Sequence, residues 1–257
     1  MHVFKSPVKN SAYFVYRLIS PVIDPINFIY SIYGYIWYLR DLVLYLIKDD
    51  KAKIRLFDLF PQLHDKTRFT HLDTHYFYQQ LWVFENVLKR KPMSHVDIAS
   101  TYQMSGYLSK ITPTIFIDYR PIQINLKNLK VLKGDVLNLD FKDNSIESVS
   151  CLHVVEHIGL GRYGDALDPN GTNKACKELQ RVLKKDGRLY LSLPVGKEKI
   201  CFNAHRIHKP ETIVSYFNDL KLVSFSFVDD DGNFLENVDL KRCPKLNYSC
   251  GMFEFTK

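Results

Sequence analysis

The sequence predicts an α/β protein whose sheet is parallel except at one edge, preceded by a helical extension. Three observations carry this reading. From His95 onward, short apolar runs alternate with helical patterns, as a parallel sheet with crossover helices requires. Residues 132–196 show the unit most fully: a turn, an apolar strand, a His/Glu knot, a glycine-punctuated loop, a helix and an alternating strand. Two strands then follow one another, over Leu220–Val228 and Tyr248–Thr256, and a direct succession of strands makes the closing edge antiparallel.

The extension comes first. Between Tyr13 and Ile47 lie seven of the sixteen tyrosines, with Trp37, Phe14 and Phe28. Pro21 and Pro25 divide the segment into two helices. Its longest uncharged run, Pro25–Leu39, has fifteen residues, short of the roughly 18–20 that a spanning helix needs. It packs on the main domain or a partner, or it lies in a membrane interface with Tyr and Trp at headgroup level. Without a strongly basic face, packing is the better reading.

Helical spacing covers Ile54–Leu63 and Thr74–Lys89, the latter through Tyr76, Phe77, Leu81, Phe84, Val87 and Leu88. Strands follow over His95–Ala99, Ile115–Asp118, Lys130–Lys133 and Ile146–Leu152, the last introduced by an Asp143-Asn144-Ser145 turn. Thr172 caps a helix that buries Ala175, Cys176, Leu179, Val182 and Leu183, with Gly187 as its C′ residue. Leu189, Leu191 and Leu193 alternate as a fifth strand, and Pro210 opens a last helix through Phe217.

Composition narrows the function classes. The chain has 257 residues, 46% of them hydrophobic, enough for a substantial core. Five cysteines without a CxxC pair argue against a disulfide framework or zinc ribbon and for a reducing compartment. No secretory signal is expected, since Lys5 and Lys9 precede no apolar region with a cleavage site. The net charge of +7 is dispersed; it suits an anionic substrate or membrane surface better than a nucleic-acid stripe.

Chemistry concentrates at predicted strand ends. Asp97 and Asp118 lie 21 residues apart, and an acid about 20 residues past the first βα turn can grip an adenosine ribose. Spacing alone leaves an ordinary turn acid equally open. Asp135 follows the third strand. After the fourth comes His153-Val-Val-Glu156-His157, whose imidazoles are candidate general bases toward a hydroxyl. His153, Glu156 and His157 are also an alternative divalent-metal set, or simply pin the loop. The letters match an inverted zinc-protease pattern, which needs a helix where this chain predicts a strand end. Gly159, Gly161 and Gly164 make a flexible loop and no phosphate cradle. Arg162, Tyr163 and Asp165 line an acceptor pocket in this reading. Asn203, His205, Arg206 and His208 form a second polar loop, where Arg206 could clamp an anion and His205 competes as base. His71 and His75 are a weak metal pair, better read as part of a polar lid.

The succession Val96-Asp97-Ile98, Ile117-Asp118, Gly134-Asp135, LHVVEH and LQRVLKKDGRLYLSLP resembles the class I S-adenosylmethionine-dependent methyltransferases. Through LHDKTRFTHLDTHYFYQQLW, SCLHVVEHIGLGRYGDALDPNG, CFNAHRIHKP and SCGMFEF the chain is similar to an uncharacterised bacterial family, a domain of unknown function often encoded among surface-polysaccharide genes. The core resemblance runs from His95 to Lys257, the wider one from Phe57. It implies a Rossmann-like sheet of seven strands over 93–257, with 1–92 as the extension. It implies S-adenosylmethionine as cofactor, with Asp118 on the ribose, Asp135 and Val136 at the adenine, and Asp97, Ser100 and His153 toward the amino-acid end. His157, His153 or His205 would be the base, and Glu156, Arg162, Tyr163, Asp165, Asn203 and Arg206 would meet the acceptor. The implied reaction is O-methylation of a sugar or sugar phosphate in surface-glycan synthesis, in the cytoplasm or at the inner membrane face. The alternative is a non-catalytic module docking a glycosyltransferase or membrane through residues 13–47. One departure stands out. The family pattern Asp-x-Gly-x-Gly-x-Gly is Asp97-Ile-Ala-Ser-Thr-Tyr-Gln-Met-Ser-Gly106 here, with a Cβ where glycine gives the cofactor room.

Overall fold

The computed structural model describes residues 7–48, 54–240 and 246–257. Two compact units meet between His71 and Leu72. In the first, α1 (Pro7–Ile19) and α2 (Pro25–Lys48) are separated at the expected prolines. Asp24 opens α2 by accepting from the backbone N–H groups of Ile26 and Asn27, both at 3.0 Å. Residues 54–71 return along α2: a Cβ on Gly34 would meet Leu63 Cβ at 2.7 Å, and Lys66 bonds Asp41 at 2.8 Å while lying over Trp37. The helix expected over Ile54–Leu63 shrinks to a single 3-10 turn, Leu56–Asp58; Pro61 disfavours helical backbone at the residue before it. The charged stretch 48–53, which the sequence marks as a turn or helix end, lies outside the described residues beyond Lys48. No described helix is long and apolar enough to cross a membrane.

The second unit begins earlier than the expected boundary near residue 92, because α3 (Thr74–Arg90) belongs to it. Trp82, Val83 and Val87 of α3 join a buried cluster with Met104, Leu108, Tyr190 and Met252. The strands are β1 (His95–Ile98), β2 (Thr114–Asp118), β3 (Leu129–Lys133), β4 (Ile146–Leu152), β5 (Leu183–Val195), β6 (Lys199–Cys201), β7 (His205–Ile207), β8 (Lys221–Val228), β9 (Phe234–Leu235) and β10 (Ser249–Thr256). The helices between them are α4 (Tyr102–Leu108), α5 (Gly171–Val182) and α6 (Pro210–Ser215).

Eight strands form the main sheet in the order β3-β2-β1-β4-β5-β10-β8-β9. This is the expected mixed, mostly parallel architecture, with two differences. Among the described residues the sheet has eight strands rather than seven, and the antiparallel β10 is not an edge but is inserted between β5 and β8. The chain leaves β8, turns back, and fills the gap, so β8 runs parallel to β5. Insertion buries seven of β10's eight residues, Ser249 to Phe255, and brings its first residues to the carboxyl ends of β4 and β5.

The helix after the glycine loop ends at Val182, and β5 starts at once. Gly187 is therefore inside a bulged strand rather than a helix cap: a Cβ there would meet the carbonyl oxygens of Lys184 at 2.8 Å and Glu147 at 3.0 Å.

Candidate functional site

The site is assembled at the carboxyl ends of the parallel strands, where open α/β sheets bind ligands. At β1 the sequence expectation changes. Asp97 is fully buried, and its carboxylate accepts from three serine hydroxyls: Ser100 and Ser150, both at 2.6 Å, and Ser105. Burial raises its pKa while these bonds pull it back down. Asp97 and Ser100 thus tie β1 to β4 and α4. In the turn that follows, Ala99 adopts φ 48°, a left-handed conformation that glycine normally supplies.

Asp118 ends β2, half-buried, and its Oδ1 accepts from Arg120 N–H at 2.7 Å. Asp135 is exposed beyond β3 and takes the Leu137 N–H at 2.8 Å. Val136 is buried in the main core. The rim over β2 and β3 therefore carries two carboxylates, Asp118 half-buried and Asp135 exposed, near the left-handed Ala99 turn. Two grooves, one bounded by Arg90, Glu147 and Arg188 and the other by Leu222, Phe225 and Leu240, involve none of these residues.

The His/Glu knot folds at the end of β4. His153 turns the chain with φ 53°. Its Nδ1 lies 2.8 Å from Glu156 Oε1, and the same oxygen is 3.6 Å from His157 Nε2. Glu156 is fully buried. Burial opposes its charge, but His153 and then His157 hold the carboxyl below its ordinary range. Burial likewise opposes an imidazolium at His153, yet Cys250 and Glu156 outweigh it and push the group up to about 10. His157 differs. Its Nδ1–H donates to Ala204 O at 2.5 Å, which leaves Nε2 as the proton-accepting atom, and burial lowers its pKa. His205 is depressed to about 4, first by burial.

Several expected acceptor residues are structural. Arg206 is buried and donates to Ile158 O at 2.5 Å, Asp168 O at 3.0 Å and Thr172 Oγ1 at 3.4 Å. These bonds pin the 158–172 loop. Asp165 is likewise occupied, taking the N–H groups of Gly159 and Tyr163 at 2.7 and 3.2 Å. Asn203 is exposed in a left-handed turn with φ 60°. At the surface, Tyr163 packs edge-on against His157, with Arg120 and Arg162 over its ring at 4.7 and 5.1 Å. Arg120 links the Asp118 turn to the histidine cluster, and no sequence motif marked it.

Aromatic and histidine rings enclose His153: Tyr76 and His75 stack on it at 5.2 and 5.8 Å, and Tyr248 lies 5.3 Å from His75 and 5.2 Å from His205. The metal set read from the sequence is not the one whose donors converge. Among the described residues, His75, His153 and Cys250 bring one donor atom each within 4.8 Å of one another.

The architecture is that of the class I methyltransferase fold. It is similar to the YcgJ protein of Bacillus subtilis (TM-score 0.50, 12% identity, 70% of this chain and 98% of that one). It is equally similar to the N-methyltransferase NodS of Bradyrhizobium japonicum, solved with S-adenosyl-L-homocysteine (0.50, 12%, 77% and 91%). The cyclase SpnF shares the fold as well (0.50, 11%, 68% and 80%), so the fold leaves the reaction to the site's own residues. At family level, residues 126–246 match the model described as Caenorhabditis protein of unknown function, DUF268. A relative in Methanocaldococcus jannaschii, the uncharacterized protein MJ0638, is 32% identical over 143 residues, or 52% of this chain. The chain spans about half that relative's length, 55%.

Proposed function

We propose that this protein binds S-adenosylmethionine over β1–β3 and methylates a hydroxyl of an anionic sugar or sugar phosphate. The observation that carries the reading is the half-buried Asp118 carboxylate at the end of β2, beside the left-handed Ala99 turn, on the rim that also holds His157. Asp118 would hold the ribose hydroxyls and Asp135 the adenine edge. Bound there, the cofactor supplies an electrophilic methyl group. His157 does the proton work: Ala204 fixes its tautomer, its lowered pKa keeps Nε2 free at neutral pH, and Glu156 Oε1 at 3.6 Å stabilises the imidazolium once Nε2 has taken the hydroxyl proton. Arg120 and Arg162 around Tyr163 favour an acceptor with negative charge. The surface-glycan context is supported by the sequence resemblance alone.

The test is transfer of labelled methyl from S-adenosylmethionine to a panel of sugar phosphates and uronates. We expect incorporation into at least one, lost on His157→Asn while S-adenosylhomocysteine still binds. Incorporation indifferent to His157→Asn removes the base; none on any acceptor removes the acceptor class. The burial of Asp97 favours the second reading, a cofactor-free module, and that reading predicts no nucleoside binding at all.

A further inference from the structure

We propose that His75, His153 and Cys250 form a binding site for a zinc-class divalent cation, oriented by Glu156. The three residues come from the first turn of α3, the end of β4 and the start of β10. They are 78 and 97 positions apart in sequence, yet their donor atoms lie within 4.8 Å of one another. Metal bonds of about 2.0–2.3 Å place tetrahedral donors about 3.3–3.8 Å apart, so side-chain adjustment of up to an ångström or so closes the set. Two imidazoles and a thiolate are a soft donor set, suited to zinc and unsuited to calcium or magnesium.

A second observation points the same way. His153 is nine-tenths buried, and its Nε2 makes no hydrogen bond of good geometry, with the Cys250 thiol as its neighbour in the cluster. A buried imidazole nitrogen left unpaired is costly; coordination satisfies it. Meanwhile Nδ1 faces Glu156 Oε1 at 2.8 Å. A carboxylate taking the Nδ1–H is the arrangement that fixes a metal-binding histidine's tautomer and strengthens its other nitrogen as a ligand. Glu156, which also faces His157 Nε2 at 3.6 Å, is the positioning residue for His153. Three protein ligands leave the fourth position for water or substrate. The site shares Glu156 with His157, but its cation would clip α3 to the sheet whether or not a nucleoside binds.

Cobalt(II) titration of chelator-treated full-length protein tests this. We expect one equivalent bound, with the absorption of a tetrahedral site and a near-ultraviolet thiolate charge-transfer band, both displaced by zinc. Cys250→Ser should abolish the band, and His75→Ala, at a partly exposed helix start, should weaken binding at least tenfold with circular dichroism unchanged. Glu156→Gln should keep the band and weaken binding about 10–100-fold. Absence of the band in the wild type overturns the proposal. So does binding unaltered by His75→Ala, which also decides the matter should Cys250→Ser fail to fold.

Discussion

Glu156 Oε1 sits 2.8 Å from His153 Nδ1, both side chains buried at the end of β4. Removing one partner of such a pair leaves the other uncompensated, and the penalty is about 3–5 kcal/mol. Glu156→Ala should lose that much in urea unfolding. Glu156→Gln keeps an acceptor for Nδ1–H and should lose about 1–2 kcal/mol. Equal midpoints for Glu156→Ala and wild type would contradict the pairing.

Ala99 holds φ 48° where the family pattern has glycine. A left-handed L-residue costs roughly 1–2 kcal/mol, and glycine's extra unfolded-state freedom returns about 0.5–1 kcal/mol of that. Ala99→Gly should therefore be neutral or stabilising by up to about 1 kcal/mol, whereas Ala99→Val should destabilise by about 2 kcal/mol or more. Thermal unfolding of both variants decides; a well-tolerated valine would mean the turn is not left-handed.

Arg206 supports the loop between His157 and α5 through Ile158, Asp168 and Thr172. Arg206→Gln leaves buried acceptors unpaired and should cost about 2–4 kcal/mol, with faster proteolytic nicking within 158–172. Unchanged stability with only a weaker acceptor KM would restore the clamp role.

His95 gives the fold a pH dependence of known sign. Ser148 and Ser150 hydroxyls contact its two nitrogens at 2.7 and 2.9 Å, and burial pushes it down to about 3. The unfolded side chain titrates near 6.5, so below that pH the unfolded state takes up a proton that the folded state refuses. Stability is fully present above pH 6.5 and falls by about 1.4 kcal/mol per unit as pH drops toward 3. Asp97, raised by burial, contributes with the opposite sign where it titrates, and is present in both proteins compared. Urea midpoints at pH 7.5 and 5.5 should separate more for wild type than for His95→Gln. Parallel behaviour would mean that His95 titrates in the fold as it does in the unfolded chain.

The parallel strands and the His153–Glu156–His157 knot were legible because both are local: short β-rich runs between turns, and polar residues directly after one. What the sequence hides is long-range. Burial of Asp97 depends on Ser150, a neighbour across the β1–β4 pair; Arg206 looked like a ligand clamp only because its three acceptors lie 34–48 residues away. Cys250 reaches His153 because β10 is inserted antiparallel beside β5, a placement no periodicity encodes. Helix α4 escaped notice as seven residues interrupted by Gly106.

Calorimetric titration with S-adenosylhomocysteine is the most direct test of the central claim, that the rim at Asp118 receives an adenosyl group. The account predicts a saturable single-site heat that disappears in a folded Asp118→Ala variant. A folded wild-type chain that gives no heat at millimolar ligand, or an Asp118→Ala variant that binds as well as wild type, would contradict it.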